Sequence, residues 1–293
     1  MKVAFWGNTQ KEVFWELLPE LTSWLQEKGQ EVFFTTHIHK RLEDKSKFNY
    51  SIIEEADDFK NVDFVLAMGG DGTILSAARG VEHRGTPIFG VHLGGLGFLA
   101  EGTVENMYTR LESIIAGNYT TFPRILVEAV IEGNTDTTVT ALNDLVIDAG
   151  EGFRLMKCSL FSERHFITSY SADGLIVATP TGSTAYNLAA GGPIVTPWLS
   201  LFTVTPICPH TLSSRPIVLP AENDLTITFP EEEPGARLTV DGQLEYPVPA
   251  NGRVVVRKAD YEVNMITFED RDYFQTLRTK MGWGQHNGGV NSE

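Results

Sequence analysis

The chain has few cysteines and no long apolar segment. Its 293 residues include two cysteines, Cys158 and Cys208, which are too few for the disulfide framework of a small secreted domain. The apolar start, Val3 to Trp6, stops at Gly7-Asn8, so it is too short for a signal peptide. No segment approaches the ~18 apolar residues of a membrane-spanning helix. These absences predict a reducing compartment, the cytoplasm, and no membrane partner.

Positive charge is also scarce. The sequence has 23 Lys and Arg residues against 38 Asp and Glu residues, which gives a formal net charge of −15 at pH 7. This balance argues against a general nucleic-acid binder, because such proteins contact phosphates through basic surfaces. It leaves room for an anionic ligand that is held locally by helix N-termini, arginine and Mg²⁺.

Two widespread catalytic motifs are missing as well. No Gly-x-x-x-x-Gly-Lys-Ser/Thr segment occurs, which argues against a P-loop kinase. Ser183 is not flanked by the Gly-x-Ser-x-Gly elbow of serine hydrolases. A phosphate or nucleotide site must therefore be sought in other glycine-rich segments.

The hydrophobic pattern divides the chain into two regions. In residues 1–122, apolar strands alternate with segments of helical spacing. Strand, helix and strand in succession favour a parallel sheet, so we predict a Rossmann-like α/β domain. Over residues 123–268 the apolar residues recur with period two between turn residues, which predicts an all-β sandwich. The last helical pattern, within residues 269–293, is expected to return to the first domain and complete it.

The first candidate site follows an apolar strand. Phe64 to Met68 are apolar, and Gly69-Gly70-Asp71-Gly72-Thr73 comes next, with helical spacing from Thr73 onwards. A glycine turn that leads into a helix N-terminus presents backbone N–H groups to an anion, and Thr73 is a good N-cap residue. Asp71 would repel a phosphate, so it suits another role: binding Mg²⁺, or accepting a proton from an attacking hydroxyl. A solvated Asp-Gly turn is the alternative.

A second glycine-rich segment follows the next predicted strand. Gly95-x-Gly97-x-x-Ala100 formally fits the dinucleotide-binding fingerprint, but that fingerprint expects a helix directly after its glycines. Here the helical pattern begins only near Thr103. We therefore interpret the segment as a loop beside the first one, lining the same crevice, with Phe98 facing either the ligand or the core.

Two segments of the predicted β domain carry polar groups suited to a nucleotide. Asn143-Asp144 opens a strand. An amide can bond two edges of an adenine and a carboxylate can accept from ribose hydroxyls, although an Asx turn would use the same residues. The run from Asp173 to Pro193 is rich in hydroxyl groups and glycine, with Tyr186 as an aromatic wall. Such a combination is typical of a nucleotide pocket.

Taken in this order and at this spacing, the motifs resemble those of the NAD kinase family. The first motif alone is shared with lipid kinases and phosphofructokinases, whereas the run from Thr179 to Tyr186 is highly specific. The resemblance extends from Val3 to about Trp283. Three further segments agree with it: Thr205 to Pro216, Val240 to Gln243, and Leu277 to Trp283.

The resemblance implies an enzyme that transfers the γ-phosphoryl of ATP to the 2′-hydroxyl of the adenosine ribose of NAD. It also implies Mg²⁺ accompanying ATP, and a homodimer or homotetramer with NAD bound between subunits. Asp71 takes the place of the proton acceptor, and no protein residue is assigned as a metal ligand. The predicted nucleotide-binding residues are Gly70, Gly72, Thr73, Phe98, Asn143, Asp144, Arg154, Asp173, Thr181, Thr184, Ala185, Tyr186, Asn187, Leu188, Ala189 and Gln243.

The resemblance leaves several points open. Many members have Glu where this chain has Asp144, and Ser171 replaces the Arg or Gly that tracks tolerance for NADH, so the preference between NAD and NADH is not predicted. The phosphoryl donor could be ATP or polyphosphate. Two rival functions are a lipid kinase of the diacylglycerol or sphingosine type, which should lack the third motif, and a non-catalytic NAD sensor, which the retention of Asp71 argues against.

Overall fold

The computed structural model describes residues 1–95, 97–133, 136–150, 155–230 and 235–283. The chain divides into two compact units: Met1–Phe122 with Asn264–Glu293, and Pro123–Val263. The second unit ends at Val263, before the predicted end of the β domain at residue 268. The reason is that Met265 pairs in parallel with Ile88, and Ile266 and Phe268 are buried in the core of the first unit.

The first unit alternates strands with helices. Its elements up to residue 115 are β1 (Lys2–Gly7), α1 (Glu12–Glu27), β2 (Glu31–Thr35), α2 (Thr36–His39), β3 (Ser51–Ile53), β4 (Phe64–Gly69), α3 (Asp71–Val81), β5 (Ile88–His92), β6 (Gly102–Thr103) and α4 (Met107–Ile115). The strand order is β3–β2–β1–β4–β5, and every adjacent pair is parallel. The predicted α/β domain with a parallel sheet is confirmed.

The parallel sheet is apolar on both faces, as a sheet covered by helices requires. All of β4 is buried, and helix α1 buries Phe14, Leu18, Leu21 and Leu25 on one face. In the register of β4 and β5, Gly69 lies opposite His92. The segments that follow these two strands therefore leave the same carboxyl edge of the sheet, which is where α/β proteins bind ligands.

The second unit consists almost entirely of strands. The remaining elements of the chain are β7 (Thr120–Glu132), β8 (Thr137–Ala141), β9 (Asp144–Asp148), β10 (Met156–Ser162), β11 (His165–Ala172), β12 (Gly174–Ala178), α5 (Tyr186–Ala189), β13 (Leu201–Ile207), β14 (Ile217–Pro220), β15 (Leu225–Thr228), β16 (Ala236–Val240), β17 (Leu244–Val248), β18 (Arg253–Thr267) and α6 (Tyr273–Met281). Of these, α6 and the end of β18 belong to the first unit.

Two sheets enclose the core of the second unit. One runs β11–β10–β15–β18, with β7 paired to β18 and to β8, and the other runs β14–β13–β12–β9–β16–β17. A single buried apolar cluster contains Val127 and Leu160 from the first sheet, and Leu145, Val177 and Phe202 from the second. Packing of two inner sheet faces against each other is the architecture of a β-sandwich, so this prediction is confirmed.

Helix α6 packs within the first unit, as expected. The Asp272 carboxylate caps its N-terminus by accepting a hydrogen bond from the N–H of Phe274 at 2.8 Å, and Leu277 is buried. Before the helix, Arg110 pairs with Asp270 at 2.8 Å. Among the described residues, none of the helices has the length and apolar character needed to cross a membrane.

Candidate active site

The glycine turn after β4 leads directly into α3. The helix begins at Asp71, and its N-cap is Gly70, which has an extended backbone and no side chain to cap with. The predicted N-cap role of Thr73 is therefore wrong, because Thr73 already lies in the first turn and its N–H donates to the carbonyl of Gly70 at 2.9 Å. A Cβ at Gly69 would lie 2.1 Å from the Thr73 hydroxyl oxygen, so this close approach requires glycine.

The Asp71 carboxylate is held by the second glycine-rich loop. Its Oδ2 accepts a hydrogen bond from the N–H of Phe98 at 2.9 Å, and its Oδ1 accepts one from the N–H of Leu99 at 3.3 Å. A Cβ on Gly97 would lie 2.1 Å from Oδ1, so glycine is needed for the loop to come this near. The two glycine-rich loops therefore lie side by side, as the sequence predicted.

This arrangement orients a carboxylate at a helix N-terminus. Negative charge is favoured there by the helix dipole. Each carboxylate oxygen accepts one backbone hydrogen bond and keeps a further lone pair, so Asp71 can still accept a hydrogen bond or a proton from a ligand hydroxyl. The side chain is half-buried, while Gly72 beside it is exposed. The Phe98 ring is half-buried, and the Nζ of Lys280 lies 5.9 Å from its centroid.

Two nitrogen-bearing side chains that the sequence motifs did not indicate lie beside the two glycine-rich loops. The Nε2 of His92 would be 3.7 Å from a Cβ at Gly70, and the Nζ of Lys11 would be 3.8 Å from a Cβ at Gly94. For His92 the available signal was its place at the end of the strand after α3, which the structure pairs with β4 so that His92 lies opposite Gly69. Lys11 comes from the separate turn that precedes α1, and no motif indicated it.

In the second unit, the Asn143-Asp144 turn opens β9 and is tied to Asp241. The Oδ1 of Asp241 accepts hydrogen bonds from the N–H groups of Asn143 at 2.8 Å and Asp144 at 3.3 Å. Asp144 is only 4% exposed. Burial, and secondarily the nearby negative charge of Asp241, raise the pKa of the Asp144 carboxyl to about 7. This carboxyl therefore gains or loses its proton near neutral pH.

The hydroxyl-rich segment is joined to the same turn. The Thr179 hydroxyl donates to the carbonyl of Leu142 at 2.6 Å, and the Thr179 N–H donates to the carbonyl of Asn143 at 2.9 Å. A Cβ on Gly182 would lie 2.0 Å from that Asn143 oxygen. The second and third motifs, separated in sequence, are thus brought into direct contact within one unit.

The side chain of Asn187 faces the interior. It is completely buried, donates to the carbonyls of Ser183 and Pro193 at 3.1 Å each, and accepts from the hydroxyls of Thr203 and Thr205 at 3.1 and 2.6 Å. With both donors and the amide oxygen used internally, this side chain is not available to a nucleotide. Its hydrogen bonds hold the segment from Ser183 to Pro193 against strand β13.

The other predicted residues of this unit occupy a range of environments. Thr181 is buried, and Thr184, Ala185 and Leu188 are half-buried. Four residues are exposed: Asp173, Tyr186, Ala189 and Gln243. Arg154 lies outside the described residues, so its predicted contact stays a prediction.

Comparison with known domains identifies the family. The ATP-NAD kinase N-terminal domain matches residues 3–119, and the ATP-NAD kinase C-terminal domain matches residues 142–268. The chain belongs to the NAD kinase family. Enzymes of the NAD kinase family transfer the γ-phosphoryl of ATP to the 2′-hydroxyl of the adenosine ribose of NAD, and this chain carries that activity, forming NADP.

Curated relatives agree over nearly the whole chain. An NAD kinase of Geobacter metallireducens is 39% identical over 286 residues, which cover 97% of this chain and 99% of that protein. An NAD kinase of Koribacter versatilis is 38% identical over 289 residues, with 97% and 98% covered. Neither relative is a lipid kinase or an NAD sensor, so those alternatives gain no support.

Solved structures show the same architecture. An NAD kinase from Archaeoglobus fulgidus in complex with ATP superposes with a TM-score of 0.74 and 26% identity, over 97% of this chain and 99% of that one. Yeast NADH kinase complexed with NADH gives a TM-score of 0.89 at 24% identity, over 99% and 90%. The yeast structure supports the NAD kinase fold alone.

Proposed function

We propose that Asp71 is the proton acceptor in the phosphorylation of NAD. In this step the 2′-oxygen of the ribose forms a bond to the γ-phosphorus of ATP, the bond from that phosphorus to the β,γ-bridging oxygen breaks, and ADP leaves. The hydroxyl proton passes to the Asp71 carboxylate and then to solvent. The observation that carries this proposal is the pair of backbone hydrogen bonds from Phe98 and Leu99, which fix the carboxylate and leave a lone pair free on each oxygen.

The glycine turn is proposed to contact the phosphate groups of ATP. Gly70, Gly72 and Thr73 lie at the start of α3, where the helix dipole favours negatively charged oxygen atoms. The related enzyme from Archaeoglobus fulgidus was crystallised with ATP, which supports a nucleotide donor. Phe98 is proposed to contact the nucleotide through the exposed part of its ring.

The second unit is proposed to bind NAD. Asn143 and Asp144 would contact the dinucleotide through their side chains, with Asp144 accepting a hydrogen bond from a ribose hydroxyl. Asn187 would act indirectly by holding the turn. The remaining proposed contacts are Asp173, Thr181, Thr184, Ala185, Tyr186, Leu188, Ala189 and Gln243.

A magnesium ion bound to ATP fits this set of residues. Among the described residues no group of three or more His, Cys, Asp or Glu side chains could hold a metal, and both oxygens of Asp71 already accept backbone hydrogen bonds. Mg²⁺ needs few protein ligands when phosphate oxygens and waters coordinate it, so the phosphate groups of ATP would hold the ion. When bound, the ion would neutralise charge on the phosphates.

Assembly and location are proposed from the family resemblance and the composition. We propose a homodimer or homotetramer, to be tested by light scattering. A cytoplasmic location is proposed because the sequence has only two cysteines, Cys158 and Cys208, too few for a disulfide framework.

The activity can be tested directly with the purified chain. NAD, ATP and Mg²⁺ should give NADP, detected by an NADP-specific dehydrogenase, and chelation of Mg²⁺ should abolish the signal. Parallel reactions with polyphosphate in place of ATP, and with NADH in place of NAD, measure donor and acceptor preference. Phosphorylation of diacylglycerol or sphingosine, with no NADP above the level without enzyme, would contradict the proposed function.

A further inference from the structure

Asp241 has an unusual combination of backbone and charge. It follows β16 and has a positive φ of 49°, a conformation that residues other than Gly, Asn and Asp rarely adopt. Its carboxylate accepts hydrogen bonds from three consecutive backbone N–H groups, those of Leu142, Asn143 and Asp144, at 3.3, 2.8 and 3.3 Å. In return, its own N–H donates to the carbonyl of Asp144 at 3.0 Å.

These contacts fix the backbone of the segment that carries the proposed NAD-binding side chains. Thr179 binds the same segment through its hydroxyl, which donates to the carbonyl of Leu142, and through its N–H, which donates to the carbonyl of Asn143. Between them, Asp241 and Thr179 bond all three N–H groups and all three carbonyls of residues 142–144. The directions in which the Asn143 and Asp144 side chains leave the backbone are therefore set by these two residues.

The arrangement combines favourable hydrogen bonds with an electrostatic cost. It places a carboxylate beside buried Asp144, and this negative charge contributes to the raised pKa of Asp144. A neutral residue at position 241 would avoid that repulsion. Asparagine could keep the positive φ and could still accept the two hydrogen bonds that now reach Oδ1. The hydrogen bond from the N–H of Leu142 to Oδ2 would be lost in asparagine, whose second terminal group is an NH₂ donor, so holding all three N–H groups requires a carboxylate.

We propose that Asp241 is a positioning residue for NAD, because its carboxylate orients the Asn143-Asp144 pair through three backbone hydrogen bonds. The proposal rests on the assignment of Asn143 and Asp144 as NAD contacts. It assigns Asp241 no contact with substrate and no part in proton transfer. Its predicted effect therefore falls on NAD binding and spares the chemical step.

Two substitutions test this role. Asp241→Asn keeps one acceptor oxygen, and Asp241→Gly removes the whole side chain at a backbone conformation that glycine adopts readily. We expect the KM for NAD to rise about threefold to tenfold in Asp241→Asn and about tenfold to a hundredfold in Asp241→Gly, as expected for weakened or lost charge-assisted hydrogen bonds. The KM for ATP should not change, and kcat should fall by less than about threefold if the chemical step is spared.

The assays are best made at about pH 8, where Asp144 is ionised in all variants and the loss of a neighbouring charge has little further effect. Asp148→Asn is the matched control. It also removes a carboxylate that accepts a backbone hydrogen bond in this sheet, from the N–H of Gly150 at 2.7 Å, but it lies at the far end of β9. This control should leave the KM for NAD unchanged.

The outcomes separate the inference from the function on which it rests. If the wild-type enzyme makes NADP and folded Asp241→Gly keeps the wild-type KM for NAD, Asp241 is not a positioning residue. A lower kcat together with a lower melting temperature, with an unchanged KM for NAD, would likewise show a purely structural role. If the wild-type chain makes no NADP, the proposed function fails first. Circular dichroism and calorimetric titration with NAD complete the comparison, and a rise in Kd that matches the rise in KM supports the proposal.

Discussion

Replacing Asp71 with asparagine should slow phosphoryl transfer by about 10²- to 10³-fold. The substitution keeps the shape of the side chain and removes its ability to take a proton. General-base assistance is typically ~10²–10⁴-fold. The transition state of phosphoryl transfer is loose and makes little demand on the nucleophile, so we expect the lower half of that range.

The structure adds a second effect that the sequence did not reveal. Both oxygens of Asp71 accept backbone hydrogen bonds, whereas asparagine has one oxygen and one NH₂ group. If the amide oxygen keeps the shorter bond from Phe98, the NH₂ group faces the N–H of Leu99. Leaving a buried donor unsatisfied costs about 1–3 kcal/mol, so the variant should also melt at a lower temperature.

Gly97→Ala separates the two effects. Its new methyl group would meet the Asp71 carboxylate at 2.1 Å, so it should displace the carboxylate or the loop while the charge remains. A melting temperature lowered as in Asp71→Asn, together with a smaller loss of kcat, would attribute the excess loss in Asp71→Asn to the missing proton acceptor. Equal losses of kcat in the two variants would indicate that orientation accounts for the effect.

The assay is kcat at saturating NAD and ATP, measured over a range of Mg²⁺ concentrations. As proton acceptor, Asp71 predicts a low kcat in Asp71→Asn at every Mg²⁺ concentration, with little change in NAD affinity. As metal ligand, it predicts a higher Mg²⁺ requirement and partial rescue by added Mg²⁺. Rescue by the metal would refute the proton-acceptor role, and a near-normal kcat would refute both roles.

Two further predictions concern Asp144. Its pKa is about 7 and the ionised carboxylate is the better acceptor, so NAD affinity should rise between about pH 6 and about pH 8. At the upper end of this range, Asp144→Ala should weaken NAD binding about tenfold to a hundredfold. Calorimetric titration that shows unchanged NAD affinity in the folded variant would remove Asp144 from the site. Since the native pKa exceeds the ordinary 3.8, the native state binds the additional proton and the free energy of unfolding falls as pH rises from about 4 to about 7. Asp144→Asn should abolish this dependence and add up to about 4 kcal/mol above pH 7, measured by urea denaturation; a variant no more stable than the wild type there would contradict the buried-charge argument.

Much of the fold could be predicted because its elements have strong periodic patterns. The fully apolar strand β4 and the spacing of Phe14, Leu18, Leu21 and Leu25 identify buried elements without any knowledge of their partners. Boundaries were less certain. The helical spacing predicts a start of α3 at Thr73, a good N-cap type, whereas Gly70 is the N-cap and Asp71 lies in the first turn.

The sequence was less informative about contacts between distant segments. The bond from the N–H of Asn143 to Asp241 joins residues 98 positions apart, and no local pattern indicates such a pair. The segment Val240 to Gln243 agrees with the family resemblance, but the resemblance implied a nucleotide contact for Gln243 and no role for Asp241. The burial of Asn187 was hidden for the same reason, because its hydroxyl partners Thr203 and Thr205 belong to another strand, β13.

The two carboxylates proposed for the reaction occupy opposite kinds of environment. Asp71 lies at the N-terminus of α3, where negative charge is favoured, and the N–H groups of Phe98 and Leu99 in the neighbouring loop hold its carboxylate in position. Asp144 is buried beside a second carboxylate, so its charge is unfavourable until a donor reaches it. A ribose hydroxyl would supply such a donor, so ligand binding would relieve part of the cost of ionising Asp144. On this argument the proton acceptor is held in place before substrate arrives, whereas the NAD-binding carboxylate gains most from the arrival of NAD itself.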